Sequence, residues 1–232
     1  MKVKIFLMLF LLVLCAAQVD LKDAGIKKTN KTQISFGIDV SENNGDINWK
    51  TVKDEKKPKA VKFVIIRSTM GADRKDKKFQ VNYKEAKKNG FVVGAYHYFD
   101  PNESAAAQIK NFSATVTLVN GDIIPVLDIE RISKNKSMDS LLGELKLMLL
   151  ALDKKYGRKP MIYTSHNFYE RYMKNHGFEW YPLWVAAYDP DKKQDDLVKS
   201  SRIHQFSSKF TIKGIHGKVD ANIARNLHKI IL

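Results

Sequence analysis

Apolar residues fall along the chain in short, nearly continuous runs separated by longer amphipathic stretches. The runs lie at 34–40, 61–66, 91–99, 123–129, 161–163, 183–188 and 203–206. They are β-branched or aromatic in character, as expected of strands covered on both faces. Between them the apolar period becomes helical. Leu141, Leu145, Met148, Leu149 and Leu152 share one face of a helix predicted over 137–156, which Gly157 closes. Further helices are predicted over 83–89, stopped by Gly90, over 104–119 and over 167–175. This strand–helix alternation predicts an α/β fold with a central parallel sheet. No Gly-rich nucleotide turn follows any strand, which favours a modified TIM-type β/α barrel over an open sheet. The helical stretches shorten in the last third, so the barrel is expected to be irregular and strand-rich there.

The first residues depart from this pattern. Lys2 and Lys4 precede an apolar run over 5–14, and Cys15, Ala16 and Ala17 supply small residues after it. This predicts a secretory signal peptide over 1–17. The run is well short of the roughly 20 residues that span a bilayer, so no stable membrane insertion is expected. Residues 18–33 are polar and read as an N-terminal arm, leaving 34–232 as a single barrel domain. The single cysteine falls inside the leader, so the secreted chain would have no disulfide and would rest on its core alone. Lys+Arg number 40 against 25 Asp+Glu, a formal net charge of +15. That excess favours anionic partners. The lysine clusters over 53–59 and 74–78 are interleaved with acids and read as a solvated face, so nucleic acid is not expected as a partner. Sequons at Asn30, Asn102, Asn111 and Asn135 would be glycan acceptors only in a eukaryotic secretory route.

The chemistry is concentrated in acids set inside apolar runs. Burying a carboxylate is costly, so each one calls for a reason. In IIPVLDIE, Asp128 and Glu130 are two positions apart and would project from one side of a strand, at its C-terminal end. In a parallel barrel that end carries the active site. Asp39 ends the first run, and Asp220 follows Val219 near the last. Asp39 could instead cap a turn, and Asp220 could pair with Arg225. The Asp128–Glu130 pair is harder to read as structural, because like charges held close repel and raise one pKa, the arrangement glycoside hydrolysis needs. His97 could face the rim or sit satisfied in the core. No P-loop, GxGxxG or GxSxG is present, so nucleotide hydrolysis, dinucleotide redox chemistry and ordinary esterase chemistry lose support, and the six histidines show no HExxH or similar ligand spacing.

The segments FGIDVSENNGDINW (36–49), VKFVIIRSTMG (61–71), GFVVGAYHYFDP (90–101), IIPVLDIE (123–130), GRKPMIYTS (157–165), YPLWVAAYDP (181–190), IHQFSS (203–208) and GKVDAN (217–222) occur in an order that resembles the family 25 glycoside hydrolases, the Chalaropsis-type lysozymes. The resemblance covers nearly all of the chain after its leader. It implies a modified barrel with fewer helices than a full TIM barrel. It also implies cleavage of the β-1,4 bond between N-acetylmuramic acid and N-acetylglucosamine in bacterial peptidoglycan. By motif, Glu130 resembles the general acid and Asp128 the group that assists the substrate's acetamido group. Asp39 and Asp220 resemble flanking acids. Tyr96, His97, Tyr98, Tyr163, Trp184 and Gln205 are expected to bind substrate. No metal or cofactor is implied, and the chain is expected to act as a monomer, secreted or held in lysosome-like vesicles.

Three positions depart from the family pattern: Met70 where Glu is usual, Asn44 where Gln is frequent, and His204 where Trp is frequent. Met70 removes an acid from the rim, and it lends some weight to the alternative of a barrel that binds wall sugars without cutting them. A membrane-active cationic protein is the third possibility. It would show a strongly basic amphipathic helix, whereas the segment 137–156 carries mixed charge.

Overall fold

The computed structural model describes residues 32–56, 60–189, 191 and 195–232. The leader expected over 1–17 and all of the arm except Thr32 and Gln33 lie outside them. The described residues form nine strands, β1 (Ile34–Val40), β2 (Phe63–Met70), β3 (Arg74–Lys75), β4 (Val92–Tyr98), β5 (Val126–Asp128), β6 (Met161–Ser165), β7 (Leu183–Ala186), β8 (Ile203–Phe210) and β9 (Val219–Arg225); the seven apolar runs supply all but β3 and β9. Eight of them close a ring in the order β1-β2-β4-β5-β6-β7-β8-β9, with β9 returning to β1. The short β3 hangs from β2 as an antiparallel extension. The helices are α1 (Trp49–Asp54), α2 (Phe79–Lys88), α3 (Ala105–Thr115), α4 (Met138–Tyr156), α5 (His166–Phe168) and α6 (Asp196–Ser200). None of the described helices is long and apolar enough to cross a membrane.

The barrel expected from the sequence is present, but its sheet is not wholly parallel. Pairing is parallel from β1 round to β8, and β9 is antiparallel to both β8 and β1. Residues 211–218, the whole β8–β9 connection, are too few for a parallel crossover, which takes a dozen or more. Gly214 and Gly217 turn the chain there at φ 93° and 78°. The strand-rich last third is therefore a hairpin that finishes the ring.

Alternation along each strand divides the core in two. Inward residues such as Phe63, Ile65, Val126, Met161, Tyr163, Trp184, Ile203 and Ala224 fill the barrel. Their outward neighbours Val64, Ile66, Leu127, Ile162 and Val185 pack beneath the helices, with Leu141, Leu145, Met148, Leu149 and Leu152 of α4. Both faces are buried, which is why the runs show no alternation in the sequence. Helix α4 has both expected ends. The Ser137 hydroxyl accepts from Ser140 N at 3.2 Å, and Gly157 turns left-handed at φ 65°. Elsewhere the bounds move. α2 begins at Phe79 rather than 83, and α3 stops at Thr115 because Val116 is extended. The stretch 167–175 holds α5's end and a π-turn, Tyr169–Met173, instead of one helix. The run over 123–129 pairs as a strand only over Val126–Asp128.

Inside the ring, β1 and β2 approach closely at Gly37. A Cβ there would lie 2.4 Å from the Phe63 ring, which is itself fully buried. Gly37→Ala is expected to destabilise the fold by about 1–3 kcal/mol through overpacking, read from denaturant unfolding. Phe63→Leu in the same chain should restore part of that loss.

Candidate active site

The four acids converge. Asp39 points inward near the end of β1, and Asp128 ends β5. Asp220 lies near the start of β9, which reaches the same rim because this strand runs backwards, with Asp39 and Asp220 directly opposite in register. Glu130 lies two residues beyond β5, yet its position is determined. Ile129 N donates to Tyr163 O (3.0 Å) and Ile129 O accepts from the Thr164 hydroxyl (2.6 Å), while Phe99 N donates to Asp128 O (2.8 Å). These bonds, with the buried Ile129 side chain, carry strand alternation past the strand's end. Asp128 and Glu130 therefore share a cleft of about 280 Å³ with Asp39, Asp220, Tyr96, Tyr163, Trp184, Tyr188, Gln205 and Ser208. An adjoining hollow of similar size shares Glu130, Tyr163 and Tyr188 and continues past Ser165, His166, Asn167 and Asp189.

The acids differ sharply in environment. Asp128 is buried and its carboxyl is held well above the usual range, first by desolvation and then by the neighbouring Glu130. Its Oδ1 has no hydrogen-bond partner among the described residues. Glu130 is exposed at the lip. Asp39, only 6% exposed, is pushed up to about 8 by burial and then by Asp220, against the two amides bonded to it. Burial also raises Asp220. Arg67 acts against the rise of Asp128 and is itself paired to Asp76 (3.0 Å) and Glu42 (3.4 Å).

A run of polar side chains leads into Asp39. Gln205 Nε2 and Asn222 Nδ2 both donate to Asp39 Oδ2, at 2.9 and 2.7 Å. Asn222 Oδ1 accepts from Trp184 Nε1 at 2.8 Å. Gln205 Oε1 accepts from the Tyr163 hydroxyl at 2.9 Å and from the Tyr188 hydroxyl. These bonds fix both amides with their N–H groups toward the carboxyl. Burial, followed by the nearby carboxylates, keeps the Tyr96 and Tyr163 phenols neutral.

Of the expected substrate-binding residues, Tyr96, Tyr163, Trp184 and Gln205 border the cleft. Trp184 is 1% exposed and packs against Tyr163 with ring centroids 4.6 Å apart, so it supports the wall rather than offering a face. Tyr98 stands at the rim outside the cleft lining, its ring beneath the Arg131 guanidinium at 5.1 Å. His97 is a correction. Tyr96 and Tyr98 point inward, so the residue between them must point out. His97 is 0% exposed beneath α3. Its Nδ1 accepts from the Thr69 hydroxyl (2.8 Å) and its Nε2 donates to Gln108 Oε1 (3.0 Å). Burial lowers its imidazole to about 4, so it is a neutral core residue.

Asn222, Ser208 and Arg67 are additions that sequence reasoning missed, while Tyr188, one of the aromatics near the strand ends, does border the cleft. Asn222 was within reach, because it follows Asp220 by two positions on a strand. The departures from the family pattern are local. Met70 ends β2 opposite Tyr98 and leaves the rim without an acid there. Asn44 caps the 41–44 turn through Ser41 N (2.9 Å), and His204 Nε2 donates to Ala187 O (2.9 Å). Among the described residues no group of His, Cys, Asp and Glu is arranged to hold a metal ion.

Asp39, Asp128 and Asp220 all bind protons more tightly folded than unfolded. The native state therefore carries more protons above about pH 4, the unfolded carboxyl range, and stability falls as pH rises toward the folded values. For Asp39 that window ends near pH 8. Asp39→Asn keeps an oxygen for Gln205 and Asn222 and cannot ionise. Its melting temperature should rise relative to the unsubstituted chain as pH goes from 4 to 8, measured by thermal scans across that range.

Comparison with known proteins gives a consistent answer. Residues 38–215 match the model of glycosyl hydrolases family 25. The uncharacterized protein YegX of Escherichia coli K12 is 35% identical over 188 residues, covering 81% of this chain and 68% of its own length. The autolytic lysozyme of Clostridium acetobutylicum is 28% identical over 79% of this chain and 54% of its own. The crystal structure of the bacterial lysozyme from Streptomyces coelicolor superposes with a TM-score of 0.74 at 27% identity, covering 84% of this chain and 94% of that one. A family 25 glycosyl hydrolase from Bacillus anthracis superposes at 0.72 with 26% identity, over 82% and 88%. With a strand-rich barrel, an acidic cleft at its rim and the family's match over most of its length, the chain belongs to family 25 of the glycosyl hydrolases and is a glycoside hydrolase.

Proposed function

We propose that the enzyme hydrolyses the β-1,4 bond between N-acetylmuramic acid and N-acetylglucosamine in bacterial peptidoglycan, after export directed by the leader over residues 1–17. The observation that carries this reading is the place of Glu130, an exposed carboxyl bordering both of two adjoining hollows. An acid at that junction can protonate the oxygen linking a sugar in one hollow to a sugar in the other. Asp128 lies behind it, desolvated and raised further by the charge of Glu130. That pairing lets one carboxyl donate while its neighbour carries charge. As the oxocarbenium-like centre develops and the protonated leaving sugar departs, Asp128 hydrogen-bonds and orients the substrate's acetamido group, whose oxygen bonds to C1; water, giving its proton to Glu130, then attacks C1 and breaks that bond, so configuration is retained. Asp39 and Asp220 keep the rim acidic opposite the pair, and Tyr96, Tyr163 and Tyr188 supply neutral donors and ring edges to the sugars. The relatives named as lysozymes support the same substrate.

The decisive experiment is release of reducing sugar from purified peptidoglycan. Glu130→Gln should lower the rate by about 10²–10⁴-fold, the usual worth of a positioned general acid, while leaving binding to the wall intact. The first product should carry the β anomer in proton NMR. Binding by the unsubstituted protein without any release would overturn the hydrolytic reading and leave a wall-binding barrel, with Met70 the first position to restore to Glu.

A further inference from the structure

The barrel has a second recess at the end opposite the acids. It measures about 460 Å³ and lies where residues before β6, β7 and β8 meet the C-terminal segment. Four cations border it, Arg158, Lys159, Arg202 and Lys229, against one acid, Glu179. None of the four forms an ion pair among the described residues, whereas Arg67, Arg74, Lys78, Lys87, Lys136 and Lys174 each have a carboxylate partner. Two of the four are held in place by the backbone. Arg158 donates from both terminal nitrogens to Ile231 O and Lys229 O, each at 2.9 Å. Lys159 Nζ donates to Trp180 O (3.4 Å) and lies 5.4 Å over the Tyr181 ring. Trp180 completes the border and is 77% exposed, more than any other large apolar side chain among the described residues.

Like charges gathered round a hollow repel one another until a counter-charge enters. Guanidinium and ammonium groups are suited to phosphate oxygens. An indole left open to solvent beside them offers an apolar face for the C–H groups of a polyol or sugar. A repeating polyol phosphate presents both chemistries in alternation. The recess is concave, which suits a single chain better than the broad plane of a bilayer.

We propose that this recess binds the phosphodiester-linked polyol polymers of bacterial walls. This assignment rests on the wall-hydrolase reading above. The recess would hold the enzyme on the wall while the cleft at the other end of the barrel works on the glycan. The bound polymer accounts for what the recess displays, which is fixed unpaired cations and an open tryptophan at one place.

The test is titration calorimetry of the full chain with poly(glycerol phosphate). Binding is expected, weakening steeply as salt rises. Trp180→Ala and the double variant Lys159→Glu/Lys229→Glu should each weaken it by about tenfold or more. Equal affinity in the double variant would overturn the proposal. So would equally tight binding of double-stranded DNA or of vesicles containing phosphatidylglycerol, since the recess would then be a general polyanion site. The probe contains no bond that the cleft would cut, so this readout is independent of hydrolysis. Polymer binding that is lost in the variants, alongside a failure to release sugar, would support the recess and sink the hydrolytic reading. Sugar release without polymer binding would do the reverse.

Discussion

β9 runs antiparallel between β1 and β8, and its pairing with both closes the ring. The same reversal places Asp220, near the start of the strand, at the rim formed by the ends of the others. A parallel β9 would have put it at the opposite end. Two residues on, Asn222 reaches inward to join Trp184 to Asp39. Barrel closure and assembly of the acidic cleft are therefore one structural event, supported by the same strand.

Within that frame the acids are sorted by solvent access. Asp39 and Asp128 are buried and held toward their protonated forms, whereas Glu130 stands exposed past the end of β5. Desolvation is the largest cause at each buried acid, and neighbouring carboxylates add to it. The amides of Gln205 and Asn222 pull the other way at Asp39, but both meet a single oxygen. The rim thus has a proton-rich wall behind an open acid.

Much of this was legible in the chain and some was not, for identifiable reasons. Continuous apolar runs marked the strands because both faces of the barrel are covered. The DxE spacing marked the cleft because strand alternation survives past Asp128 through the bonds to Ile129. His97 departs from its expected place because alternation forbids three adjacent residues, Tyr96, His97 and Tyr98, from facing one groove. β9 carries no continuous apolar run, since VDANIAR mixes polar and apolar residues, so neither the strand nor its reversed direction stands out in the sequence. α1, β3 and α6 are brief elements whose local pattern is too short to stand out. Asn222 carried a usable signal, its two-residue offset from Asp220, but an amide draws less notice than an acid.

The closing strand also governs how the molecule is made. Asp39 and Asn222 are 183 positions apart, so the bond between them forms only after nearly the whole barrel has been ordered. Joining ends that far apart carries a loop entropy of roughly 4–5 kcal/mol, and contacts of such range belong to slow folding. Until β9 arrives, β1 and β8 present unpaired edges of the kind that recruit other chains. The seven residues of β9 are therefore the molecule's protection against association during folding. They finish that task at the moment the site acquires its last two polar groups, so a partly folded chain is both sticky and inert.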